Sequence, residues 1–247
     1  MFGGAAALLL AACGSGAAAG APEATELTVF AAASLTEAFT ELGARFETDH
    51  PGVTVRLNFA ASSDLAQQIV NGAPADVVAS ASEATMKTVT DAGATAGPPT
   101  IFATNTLQIA TAPGNPRGIA AFADLTRPDV TVVVCAPQVP CGAAAEKIER
   151  ATGVTLSPVS EESDVKSTLG KVSTGNADAG LVYVTDVTGA GDDVQGVPFP
   201  EAEEAVTRYP IAVLTDAPRA GLAAEFQTMV TGEVGRKALA AVGFGAP

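Results

Sequence analysis

The chain has no tryptophan, two tyrosines (Tyr183 and Tyr209) and one histidine, His50, in 247 residues. So few aromatic faces argue against a sugar site built on stacked rings. The lone histidine lies in Asp49-His50-Pro51-Gly52, which reads as an exposed turn. No Gly-x-Ser-x-Gly elbow and no Cys-x-x-Cys pair occurs, and Gly170-Lys171-Val172 lacks the preceding glycine and following hydroxyl residue of a phosphate-binding loop. These absences argue against an enzyme. Two well-separated tyrosines with one histidine also offer little to ferric iron. Charge is scarce too: 16% of residues are charged, and 13 basic against 27 acidic residues give a net charge of −14. A nucleic-acid partner, which needs a basic stripe, is excluded. The same balance gives no long-range steering of an anion, so any anion site must work through short-range donors.

What is present is apolar material in regular patterns. A hydrophobic content of 47% suffices for cores, and the length fits one large domain or two small ones. Thr28-Val29-Phe30-Ala31-Ala32-Ala33-Ser34-Leu35-Thr36-Glu37 reads as a strand running through small residues into a helix, with Ser34 and Glu37 spaced as a capping box. Phe59-Ala60-Ala61-Ser62-Ser63-Asp64-Leu65 repeats the design. The first amides of a helix have no internal partner and carry the positive end of its dipole, so two serine-tipped starts offer an anion a place to dock. The plainer alternative is that each serine caps only its own helix.

Further along, Leu35, Ala38, Phe39, Leu42 and Phe46 mark one face of a helix; Val53, Val55, Leu57 and Phe59 alternate as a strand; and Leu65 with Ile69 marks a second helix. Asp76–Ala79 predicts a buried strand, and Ser82 caps a helix to about Ala92. After the break at Gly97-Pro98-Pro99, a second lobe begins with a strand from Thr106. It includes a strand to Cys135, helices from Gly142 and Asp164, and a strand Ala179–Val184. Glu201-Ala202-Glu203-Glu204 reads as a solvated segment, after which Tyr209–Val213 and two amphipathic helices return to the first lobe. Alternating strands and helices predict an α/β protein with mainly parallel sheets. No internal repeat shows in the periodicity.

The N-terminus has its own signature. Residues 1–12 form an apolar run too short to span a bilayer, ending in Leu10-Ala11-Ala12-Cys13-Gly14. This looks like a lipoprotein signal with Cys13 as the lipidated residue. The basic region such signals begin with is missing, so a true start upstream of Met1 is expected. Residues 13–25 then form a flexible tether, and the lipid is the expected membrane attachment. A purely structural or adhesive lipoprotein would share this signature without needing two serine-tipped helix starts.

The Ala-Ala-Ala-Ser-Leu-Thr block, the Phe-Ala-Ala-Ser-Ser block and Gly72-Ala73-Pro74-Ala75-Asp76, in that order, carry a resemblance to the periplasmic molybdate-binding proteins of bacterial ABC importers, within the type II periplasmic-binding-protein family. The likeness runs from about Leu27 to Phe244. It implies a two-lobed fold, residues 26–104 plus 207–247 against 105–206, with the ligand between the lobes. It implies five ligand residues: the hydroxyls of Ser34 and Ser62, the amides of Cys141 and Val165, and the phenol of Tyr183. Ala61 and Cys141 depart from the family's usual serine and alanine, and neither departure removes an amide. No member of this set needs a charge, which suits molybdate or tungstate, dianions with acceptor oxygens only; sulfate, thiosulfate and phosphate are the alternatives. The resemblance further implies a monomer outside the cytoplasm that serves an ABC permease and its ATPase, with no resident cofactor and no direct protein–metal ligand. With Cys13 lipidated and the protein outside the reducing cytoplasm, Cys135 and Cys141 are expected to pair as a disulfide, the alternative being two buried free thiols.

Overall fold

The computed structural model describes residues 25–247. The expected signal segment, Cys13 and nearly all of the tether lie outside the described residues. Thr25, assigned to the tether, instead opens the first strand.

The first part of the chain runs β1 (Thr25–Ala32), α1 (Thr36–Asp49), β2 (Val53–Ala60), α2 (Ser62–Val70), β3 (Val77–Ala79), α3 (Glu83–Asp91) and β4 (Thr100–Asn105). The next part is β5 (Leu107–Thr111), β6 (Val132–Cys135), α4 (Pro140–Thr152), β7 (Ser160–Glu162), α5 (Val165–Ser173), β8 (Ala179–Tyr183), α6 (Val184–Ala190) and β9 (Gln195–Val197). The chain ends with β10 (Thr207–Val213), α7 (Ala220–Thr231) and α8 (Glu233–Ala241).

These elements build two five-stranded sheets, ordered β2-β1-β3-β10-β4 and β7-β6-β8-β5-β9. In the first, β1 is parallel to β2 and β3 while β10 is antiparallel to both β3 and β4, so β10 alone runs against the other four. In the second, β6 is parallel to β7 and β8 while β5 is antiparallel to β8 and β9, so β5 is the reversed strand. The two sheets therefore share one topology, an architectural repeat that leaves no trace in the periodicity. In each, the reversed strand is the one the chain enters on arriving from the other sheet.

Strand β1 shows how the layers form. Leu27, Val29 and Ala31 face a core shared with Phe39, Phe46, Phe226 and Leu239 of α1, α7 and α8, whereas Phe30 faces a second cluster with Leu65, Ile69, Met86 and Val89 of α2 and α3. This is the two-residue alternation of a central strand covered on both faces. Buried Asp76 fastens the same region, accepting the Thr28 amide at 2.8 Å and the Arg219 amide at 2.7 Å just before α7.

Thr100–Asn105, for which local pattern gives no element, is a strand of the first sheet, and the chain changes sheet at its end. The switch falls in the polar step Thr104-Asn105-Thr106 between β4 and β5 and is held by Asn105, whose side chain accepts the Thr106 amide at 3.0 Å and donates to Thr185 Oγ1 at 2.9 Å. The acidic run lies in a 3₁₀ segment, Pro200–Ala205, that exposes Glu203 and Glu204 as expected while burying Ala202 and Ala205 in the second core.

His50 is half-buried rather than in an exposed turn. Its ring stacks on Phe46 with centroids 3.9 Å apart, Nδ1 lies 2.9 Å from the Phe46 carbonyl and Nε2 lies 2.8 Å from the Glu225 carboxylate. Two acceptors favour a doubly protonated imidazole, so Glu225, then Phe46, raise its pKa above the ordinary value. A raised folded-state pKa adds stability below the ordinary histidine value that is lost as pH climbs through the folded value. Thermal melts of wild type and His50→Gln are expected to converge as pH rises from about 6 to about 8; a gap independent of pH would rule out this ion pair.

Candidate anion-binding site

Ser34, Ser62, Cys141, Val165 and Tyr183 come from five separate segments and line one small cavity. Much of the remaining wall is small or apolar: Ala32, Ala33, Ala60, Ala61, Ala81, Val139 and Pro140. Each polar member arrives by a local device that the sequence pattern explains only in part.

Ser34 is not the cap of α1. It sits inside a 3₁₀ turn, Ala33–Leu35, that precedes the helix; the N-cap position falls to Leu35 and no side chain caps it. The Ser34 hydroxyl instead meets the Tyr209 hydroxyl at 2.9 Å, both residues buried. The capping box fails because the extra turn carries Ser34 out of register with the helix, freeing its oxygen for a partner 175 positions away. Ser62, likewise, is the first residue of α2 rather than its cap. Its oxygen accepts the Ala81 amide at 2.8 Å, and a hydroxyl that accepts from behind keeps its single hydrogen for the cavity.

The other sheet contributes backbone. Cys141 is the second residue of α4, after Pro140, and Val165 is the first residue of α5. Amides at these positions precede the first carbonyl their helix offers, and the positive ends of the helix dipoles add to them. Pro140 suits its place because the first helical position has no use for an N–H. Asp164 also lines the cavity, yet its carboxylate is taken by the amide and hydroxyl of Ser167 at 2.9 and 2.8 Å.

The turn before α4 is held covalently: Cys135 and Cys141 are joined, with Cα atoms 5.7 Å apart. Gly142 is required beside the bridge, since a Cβ there would overlap the Ala136 carbonyl. The sulfurs, the loop 136–140 and Gly142 thus fix where the Cys141 amide lies.

Tyr183 ends β8 with 1% of its surface exposed, and its hydroxyl is a buried polar atom with no partner. Its ring meets Tyr209 edge-on, with centroids 6.0 Å apart, so the two tyrosines are neighbours rather than well separated. This proximity does not make an iron site. Burial raises both phenols well above their ordinary pKa, leaving them as protonated donors rather than phenolate ligands. Among the described residues no cluster of histidine, cysteine, aspartate and glutamate suits a metal ion. The residues lining the cavity thus carry hydroxyls, helix-start amides and a phenol, with no cationic side chain among them.

Tyr209 and Ala81 are the functional neighbours that sequence reasoning missed. Neither carries a local signal, because each acts through a contact made only after the sheets assemble. Tyr209→Phe deletes the partner of the Ser34 hydroxyl and is expected to lower stability in urea by about 0.5–1.5 kcal/mol. Unchanged unfolding would show that this hydroxyl pair contributes nothing.

The chain matches the family described as bacterial extracellular solute-binding protein over residues 27–245. It is 52% identical over 243 residues to the molybdate-binding protein ModA of Mycobacterium tuberculosis (strain ATCC 25618 / H37Rv), covering 96% of this chain and 93% of that relative. The Azotobacter vinelandii periplasmic molybdate-binding protein superposes with a TM-score of 0.78 at 21% identity, covering 90% of this chain and 99% of the other. The sulfate-binding protein SubI from Mycobacterium tuberculosis H37Rv gives 0.77 at 21% identity, covering 89% of this chain and 86% of that one. At those identities the two structures speak for the fold alone.

Proposed function

Because the chain belongs to the bacterial extracellular solute-binding protein family, whose members bind and do not catalyse, we propose that it captures molybdate between its two sheets and delivers it to an ABC permease with its ATPase. Tungstate, with the same charge and acceptor-only oxygens, is a second cargo of the same site. The observation that carries this reading is the donor set. Two serine hydroxyls, two helix-start amides and the otherwise unpartnered Tyr183 phenol converge on one cavity. A fully deprotonated oxyanion would satisfy every one of them.

The set also discriminates. Monohydrogen phosphate carries a proton that needs an acceptor, and Asp164 is already engaged by Ser167. Leaving that proton unpaired disfavours phosphate. Sulfate has the charge and shape to compete, and a sulfate-binding protein shares the fold, so the fold does not choose between them; the ModA relatives favour molybdate. In this reading residues 26–104 with 207–247 form one lobe and 105–206 the other. The protein is an extracytoplasmic monomer anchored through lipidated Cys13, it needs no resident cofactor, and the anion is cargo held without protein–metal bonds. None of the described helices is long and apolar enough to cross a membrane, which fits attachment by lipid.

A thermal-shift panel of molybdate, tungstate, sulfate, phosphate and ferric citrate tests the reading. A ligand at about 1,000 times its Kd adds roughly 4 kcal/mol of stability. A shift with phosphate and none with molybdate or tungstate would end it. Ser34→Ala removes a hydrogen bond to a charged group worth roughly 1.5–3 kcal/mol, an expected ten- to hundredfold loss of molybdate affinity by titration calorimetry. Full affinity in the variant would leave Ser34 as no more than a partner for Tyr209.

A further inference from the structure

Next to the cavity lies a charged cluster that the donor set does not use. Lys166 immediately follows Val165 on α5. Its Nζ lies 2.8 Å from Glu37 Oε1 on α1 and 3.1 Å from Asp186 Oδ1 on α6. Glu37 comes three residues after Ser34, and Asp186 three after Tyr183. Asp186 is fully buried, and its other oxygen accepts the Tyr183 amide at 3.1 Å. Toward Oδ1, Lys166 makes a charge contact rather than an aligned hydrogen bond. Glu37 belongs to the first sheet's layer, whereas Lys166 and Asp186 belong to the second's, so the cluster crosses between them.

The surface around the cluster is shaped for it. Gly189, on the next turn of α6, faces Glu37 so closely that a Cβ there would lie 3.0 Å from the carboxyl carbon. Burial favours the neutral amine, yet Asp186 and Glu37 together hold Lys166 above its ordinary pKa. The ammonium is therefore retained where a lone buried lysine would lose it.

Building on the reading above, we propose that Lys166 is a positioning residue for the bound anion: by joining Glu37 on α1 to Asp186 on α6, it holds together the helix starts that carry Ser34, Val165 and Tyr183. Its charge is spent on two carboxylates and does not act on the anion. What it supplies is registration. The Val165 amide is one peptide from the lysine Cα, the Tyr183 amide is tied to the same aspartate, and the Glu37 contact brings in the Ser34 segment from the opposite side. An anion bound by donors from both sides leaves only when the two sides part, so the Glu37–Lys166 contact must break before release. The effect belongs on the dissociation rate, with little change in association.

The experiment compares wild type, Lys166→Met, Lys166→Arg and Glu37→Gln, using molybdate affinity by calorimetry and release rate by stopped-flow chase with excess tungstate. Lys166→Met is expected to release molybdate roughly tenfold faster or more, with its association rate within about threefold of wild type. Lys166→Arg, which keeps the charge and the reach, is expected to restore slow release. Glu37→Gln leaves the Lys166–Asp186 pair intact and serves should the methionine variant fail to fold; it too is expected to release faster, and adding it to Lys166→Met should have no further effect. Release at the wild-type rate in Lys166→Met, or in Glu37→Gln if only that variant folds, overturns the proposal while molybdate binding stands. Loss shared equally between association and dissociation, with no rescue by arginine, also overturns it in favour of a general structural role. If wild type binds no molybdate, the functional reading itself fails, and the proposal with it.

Discussion

The structure is governed by what a helix leaves unfinished at its N-terminus. Backbone amides there have no carbonyl to meet, and a fold that hides them from water must supply another acceptor. Here α2, α4, α5 and the 3₁₀ turn before α1 all begin at one cavity. Gathering so many orphan donors would be unfavourable in an empty core. In the proposed reading the missing acceptor arrives from outside as an anion. The alanine-rich wall follows from the same constraint, since only small side chains allow several backbones to approach a single point. No cationic side chain lines the cavity, so in a chain of net charge −14 the proposed anion would be held by short-range donors alone.

Topology delivers these helix starts to one place. In the two sheets the strands β1, β2, β3, β6, β7 and β8 all end at the cleft and feed the turns that carry the cavity-lining residues. The strands that run the other way, β10 and β5, are the ones by which the chain enters each sheet. Residues on and beside the crossings therefore sit close to the cavity-lining residues without lining the cavity themselves. Tyr209 on β10 meets Ser34, and Asn105 at the end of β4 meets Thr185, two positions after Tyr183.

Much of this was readable from the sequence, and the exceptions have a common cause. The helix faces through Phe39 and Phe46 or Leu65 and Ile69 follow from local spacing and appear as expected. The gathering of Ser34, Ser62, Cys141, Val165 and Tyr183 at one cavity came from ordered motifs rather than periodicity. Local reasoning failed where an atom's partner is distant in the chain. Ser34 has the spacing of a cap but bonds to Tyr209, and Tyr183 and Tyr209 seemed far apart because nothing local tells that β8 and β10 converge. Strand β4 has only Ile101, Phe102 and Ala103 as a continuous apolar run, too short for periodicity to mark, and the crossing near 103–106 was implied by the resemblance rather than by local pattern. The glycines at 142 and 189 are similarly silent until the Ala136 carbonyl and the Glu37 carboxylate are seen against them.

The pairing of Tyr183 with Tyr209 has an optical consequence. With no tryptophan anywhere in the chain, near-ultraviolet emission comes from tyrosine; Tyr183 lines the cavity and Tyr209 stands behind it, with ring centroids 6.0 Å apart. Rings that close exchange excitation, so the pair emits as one chromophore whose yield depends on what each hydroxyl is bonded to. The protein's intrinsic tyrosine fluorescence therefore comes from the cavity wall and the layer directly behind it, with no third tyrosine elsewhere in the chain.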